Sequence, residues 1–210
     1  MPVLFWHALG DGQSGAYFAD VGKPLARAGF HVVAVDGPGF GRSPLLPAAR
    51  YALTSLAALL DDLLDERGLD RPVLAGHSWG GAVATAYAGT HPKDVRALVL
   101  FDSGHLDYRD VEDVAALELT DDARGRAMRG LLDPMSVHWP VIARHEIPTL
   151  LFLATEGEHG DVNRAHIAKF ETAMPHADVR WPPGTTHGIV EDIGPPLADE
   201  IAAWLVDRGL

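Results

Sequence analysis

Short apolar runs alternate with longer amphipathic stretches along most of the chain, and this rhythm limits the fold more than any other feature of the sequence. Val3–Trp6, His31–Val35, Pro72–Ala75, Ala97–Phe101, Thr149–Ala154 and Ala177–Trp181 read as buried strands. Between them, Ala16–Ala28, Leu53–Glu66, Trp79–Thr90, Val162–Met174 and Pro196–Asp207 read as helices. In Leu53–Glu66, for example, Leu56, Leu59, Leu60, Leu63 and Leu64 fall on one helical face. Strands separated by helices pair in parallel, because a parallel pair needs a long crossover connection. The expectation is therefore an α/β fold: a mostly parallel sheet of about six strands with helices on both faces, formed by a single domain over residues 1–210. The rhythm breaks over Asp102–Ile147, which is charged and irregular. Its apolar residues Val111, Val114, Leu117, Leu131, Leu132 and Val137 argue for a small helical excursion, expected to form a lid insertion over about 103–147.

Composition excludes several function classes. A net charge of −12 repels phosphate backbones, so no nucleic-acid partner is expected. No apolar run approaches the roughly 18–20 residues of a membrane span, so no membrane partner is expected either. The absence of cysteine removes disulfides and thiolate metal sites. The opening Met1–His7 lacks a basic leader and reads directly as a strand, which favours the cytoplasm.

The chemistry concentrates at Gly76-His77-Ser78-Trp79-Gly80-Gly81, which follows one strand and opens a helix. A serine nucleophile needs its oxygen raised on a sharp turn, and flanking glycines leave room for that turn. The helix that follows directs its positive end at the place where an oxyanion would form. Ser78 is the candidate nucleophile. A hydroxyl needs a base, and among eleven histidines composition alone cannot choose one.

With these residues the chain resembles the α/β-hydrolase fold family, in its serine-nucleophile esterase and lipase-like branch. His7-Ala8-Leu9-Gly10 is similar to the family's His-Gly turn, and Asp36-Gly37-Pro38-Gly39-Phe40-Gly41-Arg42-Ser43 matches its loop after the next strand. His91-Pro92 followed by Val95 and Leu98-Val99-Leu100 is a further familiar stretch, in which His91 is structural. The resemblance implies an oxyanion hole from the backbone N–H groups of Leu9 and Trp79, with Ala8 standing where a glycine is usual. It places the base at His187, in Gly184-Thr185-Thr186-His187-Gly188 before the final helix.

The acid has two candidates. After Thr149–Ala154 the family's Gly-x-x-Asp pattern finds no clean match: Gly157 falls where the aspartate belongs, flanked by Glu156 and Glu158, and Asp161 lies too far along. Some relatives use a carboxylate at the end of the preceding strand, where Asp102 stands. Asp102 ranks first and Glu156 second. Glu156, Glu158, His159 and Asp161 also have a metal-like composition, but no second histidine at fixed spacing supports a metal site, and none is assigned. His7, Trp79 and Trp139 are candidates to line the substrate pocket.

The resemblance also implies two further strands ahead of His7 that this sequence lacks, which leaves His31–Val35 at the sheet edge. An open apolar edge invites cover, either by the N-terminal loops or by a second copy in a homodimer. The leading reading is a serine hydrolase that cleaves a small-molecule carboxylic ester or related acyl substrate through an acyl-enzyme on Ser78, with no cofactor. The alternative is a non-catalytic or weakly catalytic ligand-binding or signalling module on the same fold.

Overall fold

The computed structural model describes residues 1–10, 12–111 and 119–210. Its core is a six-stranded sheet of β1 (Pro2–Trp6), β2 (His31–Val35), β3 (Val73–His77), β4 (Ala97–Phe101), β5 (Thr149–Phe152) and β6 (Asp178–Arg180), in the order β2-β1-β3-β4-β5-β6. Every neighbouring pair is parallel, as in Leu4↔Leu74 and Leu100↔Leu151.

Strand alternation divides the apolar side chains between two layers. On one face Leu4, Trp6, Leu74, Leu98, Leu100 and Leu151 pack under α2 (Leu53–Arg67), α3 (Trp79–Thr90), α4 (Ala123–Leu131), α5 (Trp139–Arg144) and α6 (Gly157–Ala173). On the other, Val3, Phe5, Val73, Val99, Phe101, Leu150 and Phe152 pack against α1 (Ala19–Arg27), α7 (Ile189–Ile193) and α8 (Pro196–Asp207). Full burial of each such Leu, Val or Phe contributes about 1.5–3 kcal/mol, so the sheet is anchored from both sides.

Differences from the sequence reading are local. Ala16–Ala28 divides into a 3₁₀ turn at Gly15–Phe18 and the helix α1. α6 begins at Gly157 rather than Val162, because its first turn (Gly157, Glu158, His159, Gly160) carries no apolar periodicity to announce it. The excursion after β4 holds a 3₁₀ turn at Tyr108–Asp110 and the helices α4 and α5. Val114 and Leu117 lie outside the described residues. Leu131 is buried, whereas Val137 is 57% exposed.

β2 is an edge strand, half-exposed at Val32, Val33 and Val35. Beside it lies an apolar groove of about 280 Å³ lined by Trp6, Val35, Pro38, Leu46, Leu59 and Leu63. Among the described residues no helix is long and apolar enough to cross a membrane.

Candidate active site

In a parallel sheet all strands deliver their C-terminal residues to one edge, and the chemistry gathers there. Ser78 follows β3 directly and adopts φ 52°, ψ −116°, a left-handed φ that costs a non-glycine residue about 1–3 kcal/mol. The surroundings hold the strain in place. Ser78 N–H donates to Phe101 O at 3.1 Å, and Ser103 Oγ donates to Ser78 O. The turn is tight enough that a Cβ on Gly80 would stand 2.0 Å from Trp6 O, and one on Gly76 2.3 Å from the Gly80 carbonyl carbon. Only glycine allows α3 to come this close to β1 and β3.

Asp102 follows β4 in the same manner, also at positive φ (47°), with its N–H bonded to Phe152 O at 2.7 Å. Its carboxylate is buried and fully engaged. Oδ1 accepts from Ala154 N–H at 3.0 Å and from Asn163 Nδ2 at 2.5 Å, while Oδ2 accepts from His187 Nδ1 at 2.6 Å. Burial alone would raise this carboxyl; His159, His187 and the Ala154 N–H outweigh it and hold Asp102 far below the usual carboxylate range. Asp102 is thus an anion in the folded protein. It orients the His187 ring and leaves Nε2 as that ring's free nitrogen.

The loop that carries His187 is pinned through its backbone. Thr155 and Glu156 N–H both donate to Thr185 O at 2.9 and 2.8 Å, Thr186 N–H donates to Asp192 Oδ2 at 2.6 Å, and His77 Nε2 donates to His187 O at 2.6 Å. Burial and the neighbouring His187 push His77 down to about 3, so it stays a neutral donor. Among the described residues no direct hydrogen bond joins Ser78 Oγ to His187, a gap that unliganded active sites often show.

A strained serine after β3, an aspartate after β4 and a histidine after β6 now stand at one sheet edge. A family model described as the alpha/beta hydrolase fold matches residues 1–146 of the chain. The chain belongs to the α/β-hydrolase fold family. Among solved structures this hydrolase fold is similar to a carboxylesterase of Nitrososphaera gargenis (TM-score 0.80, 20% identity, 98% of this chain and 89% of that one). It is likewise similar to the thioesterase domain from the curacin biosynthetic pathway (TM-score 0.74, 23% identity, 96% and 90%). Among curated proteins it is similar to Lipase 1 of Psychrobacter immobilis, 35% identical over 103 residues, which cover 49% of this chain and 31% of the lipase. A 2-hydroxy-6-oxononadienedioate/2-hydroxy-6-oxononatrienedioate hydrolase of Pseudomonas putida is 36% identical over 103 residues, covering 49% and 36%. The matched segment spans about a third of the length of these two curated relatives.

Within the hydrolase fold the remaining candidates take distinct places. Trp79 is the first residue of α3, where helical N–H groups have no partner one turn back. Leu9 lies in the turn after β1, half-buried. Glu156 does not reach the histidine: its side chain is exposed, and only its backbone serves the site, through Thr185.

His7, Trp79 and Trp139, expected as pocket walls, are instead packed inside, Trp79 with 0% of its surface exposed. His7 is 0% exposed; Nε2 accepts from Gly37 N–H at 2.9 Å and Nδ1 donates to Ala8 O at 2.7 Å, and burial lowers its pKa so that it stays neutral. It clamps the glycine-rich loop after β2 to the turn after β1. Trp139 is 1% exposed, donates Nε1 to Gly104 O at 2.8 Å and meets Phe170 edge-on at 5.5 Å, which ties α5 to the loop after Asp102.

Two site residues, Asn163 and Tyr108, gave no signal in the sequence, and a third, His159, entered only as a member of the metal-like cluster. Asn163 on α6 bonds Asp102 and accepts from the buried His105 Nε2 at 2.9 Å. Tyr108, in the excursion, faces the Ser78 and Ser103 hydroxyls, its phenol pushed up to about 12 by burial and by Asp102. His159 approaches Asp102 Oδ2 at 3.4 Å from the first turn of α6. Asp102, His159 and His187 place their ligating atoms within 4.8 Å of one another, a closeness that the His187 hydrogen bond to Asp102 and the stacking of His159 on His187 account for without an ion.

Proposed function

We propose that this protein is a serine hydrolase that cleaves a carboxylic ester or a related acyl bond through an acyl-enzyme on Ser78. The observation that carries the reading is the 2.6 Å bond from His187 Nδ1 to the buried Asp102 carboxylate, at the sheet edge where Ser78 is held at positive φ. The carboxylate fixes the imidazole tautomer, so that Nε2 takes the Ser78 proton. Ser78 Oγ attacks the acyl carbon, and the backbone N–H groups of Leu9 and Trp79 receive the oxyanion. His187 returns the proton to the leaving group, then activates water to release the acid. These residues complete the cycle without a cofactor.

The names of the similar proteins, a lipase and a carboxylesterase among them, support acyl chemistry as the class. The acidic surface, at −12 net charge, suits a small neutral substrate better than a polyanion. The exposed edge of β2 supports a homodimer formed there; a monomer by light scattering would exclude it.

Hydrolysis of p-nitrophenyl acetate and butyrate tests the reading. Turnover that disappears in Ser78→Ala, with the circular dichroism spectrum unchanged, is the expected result. Turnover that survives the substitution overturns the assignment. Tight ligand binding by a folded protein without turnover would favour the binding-module reading.

A further inference from the structure

The Asp102 carboxylate faces two imidazoles rather than one. His187 Nδ1 lies 2.6 Å from Oδ2, and His159 Nδ1 lies 3.4 Å from the same oxygen. The two rings are stacked face to face, centroids 3.8 Å apart and planes 15° from parallel. His159 is the third residue of α6 and about half-exposed, so its ring reaches the site from solvent over His187, whose own side chain is 29% exposed. The other ring against His187 is His77, at 4.8 Å and 48°. Without His159, one face of the His187 imidazole would lie open to water and the ring could turn about its χ2 bond.

From this geometry we infer that His159 is a positioning residue for the base. It covers one face of the His187 ring, and it shares Asp102 Oδ2 with that ring. The two contributions separate by substitution. His159→Ala removes both the covering face and the polar contact with Oδ2. His159→Phe keeps an aromatic face of similar area and removes only the polar contact, leaving Oδ2 to His187 alone. Neither change touches the core, since His159 projects from the exposed first turn of the helix. The other charged groups on that turn do not replace it: Glu156 and Glu158 are exposed, and Asp161 is bonded to Arg164 at 2.6 Å.

The inference rests on the hydrolase reading for its kinetic consequence but not for its spectroscopic one. The experiment therefore pairs p-nitrophenyl acetate kinetics with proton NMR of the downfield Nδ1–H signal of His187 in the wild type, His159→Ala and His159→Phe. In His159→Ala kcat is expected to fall about tenfold, as misplacement of a reacting group does. KM should stay within about twofold, because substrate binding is untouched, and the Nδ1–H signal should broaden through faster exchange. In His159→Phe the signal should stay sharp and move further downfield, with kcat within about threefold of the wild type. Wild-type kcat and an unaltered signal in His159→Ala would overturn the assignment. A wild type without turnover would defeat the hydrolase reading alone, and the NMR comparison would still decide the role of His159.

Discussion

The two halves of the site are built by different means. The Ser78 turn is shaped mainly by close backbone packing: glycines at positions 76 and 80 let β1, β3 and α3 touch, and the serine is strained because its neighbours leave no other path. The acid–base half is organised around one buried carboxylate by polar contacts drawn from distant parts of the chain. Asp102 collects the Ala154 N–H, Asn163, His187 and His159 from one helix and two loops that lie 52 to 85 residues further along. The first half is set by steric contact and tolerates no added atom at Gly76 or Gly80. The second is distributed, and its members differ in how much each one carries.

That contrast can be broken or sharpened by substitution. The largest effect is expected at Asp102. Asp102→Asn should lower kcat/KM on p-nitrophenyl acetate about 10⁴-fold by presenting the wrong tautomer of His187, whereas Glu156→Gln should leave it nearly unchanged. Equal losses would mean that the acid–base half has been drawn around the wrong carboxylate. Next comes Gly80→Ala, whose Cβ would meet Trp6 O at 2.0 Å. It should cost about 3 kcal/mol or more of stability, read as a fall in the urea midpoint, because both backbones are fixed by the sheet. A wild-type midpoint would show that the turn is looser than its glycines suggest.

Asn163→Leu is expected to act more moderately. It removes one of the two donors to Asp102 Oδ1 and leaves the buried His105 Nε2 without its acceptor, and so costs about 1–3 kcal/mol of stability, with a measurable loss of kcat. The smallest effect concerns pH. His77 is held down to about 3 from 6.5, and His7 and His105 are also lowered, each by burial first. Below pH 6.5 the unfolded chain takes up these protons and the folded chain does not, so stability must fall as pH drops from 6.5 toward 3. Asp102 acts in the same direction at lower pH, since its depressed carboxyl loses its advantage once the unfolded carboxyl protonates near about pH 4. The melting temperature should therefore decline from pH 7 to pH 5, and His77→Asn should flatten the decline. A flat wild-type profile would contradict the neutral, buried histidines.

The same contrast explains how much was legible in the sequence. Ser78 could be read because strand, turn and helix are adjacent, and their glycines have a steric reason. The parallel pairing of about six strands followed from the rhythm, and the resemblance placed β2 at the edge. His187 was reached only through resemblance, since nothing within its own loop distinguishes it from the other histidines. The choice between Asp102 and Glu156 required the three-dimensional register of β4 against β5. Asn163 gave no signal because its partner lies on another element, and His159 was read only as part of a metal-like cluster because α6 starts with a polar turn that does not look helical. His7 and Trp139 were drawn to the pocket by residue type, whereas the fold uses both as internal hydrogen-bonding struts.

The central claim is that Ser78 is an activated nucleophile at the edge that Asp102 and His187 share. Reaction with a fluorophosphonate probe, followed by peptide mass spectrometry, tests it most directly. The account predicts labelling confined to Ser78, lost in Ser78→Ala and strongly slowed in Asp102→Asn. A well-folded protein that takes no label, or takes it at another serine, would contradict it.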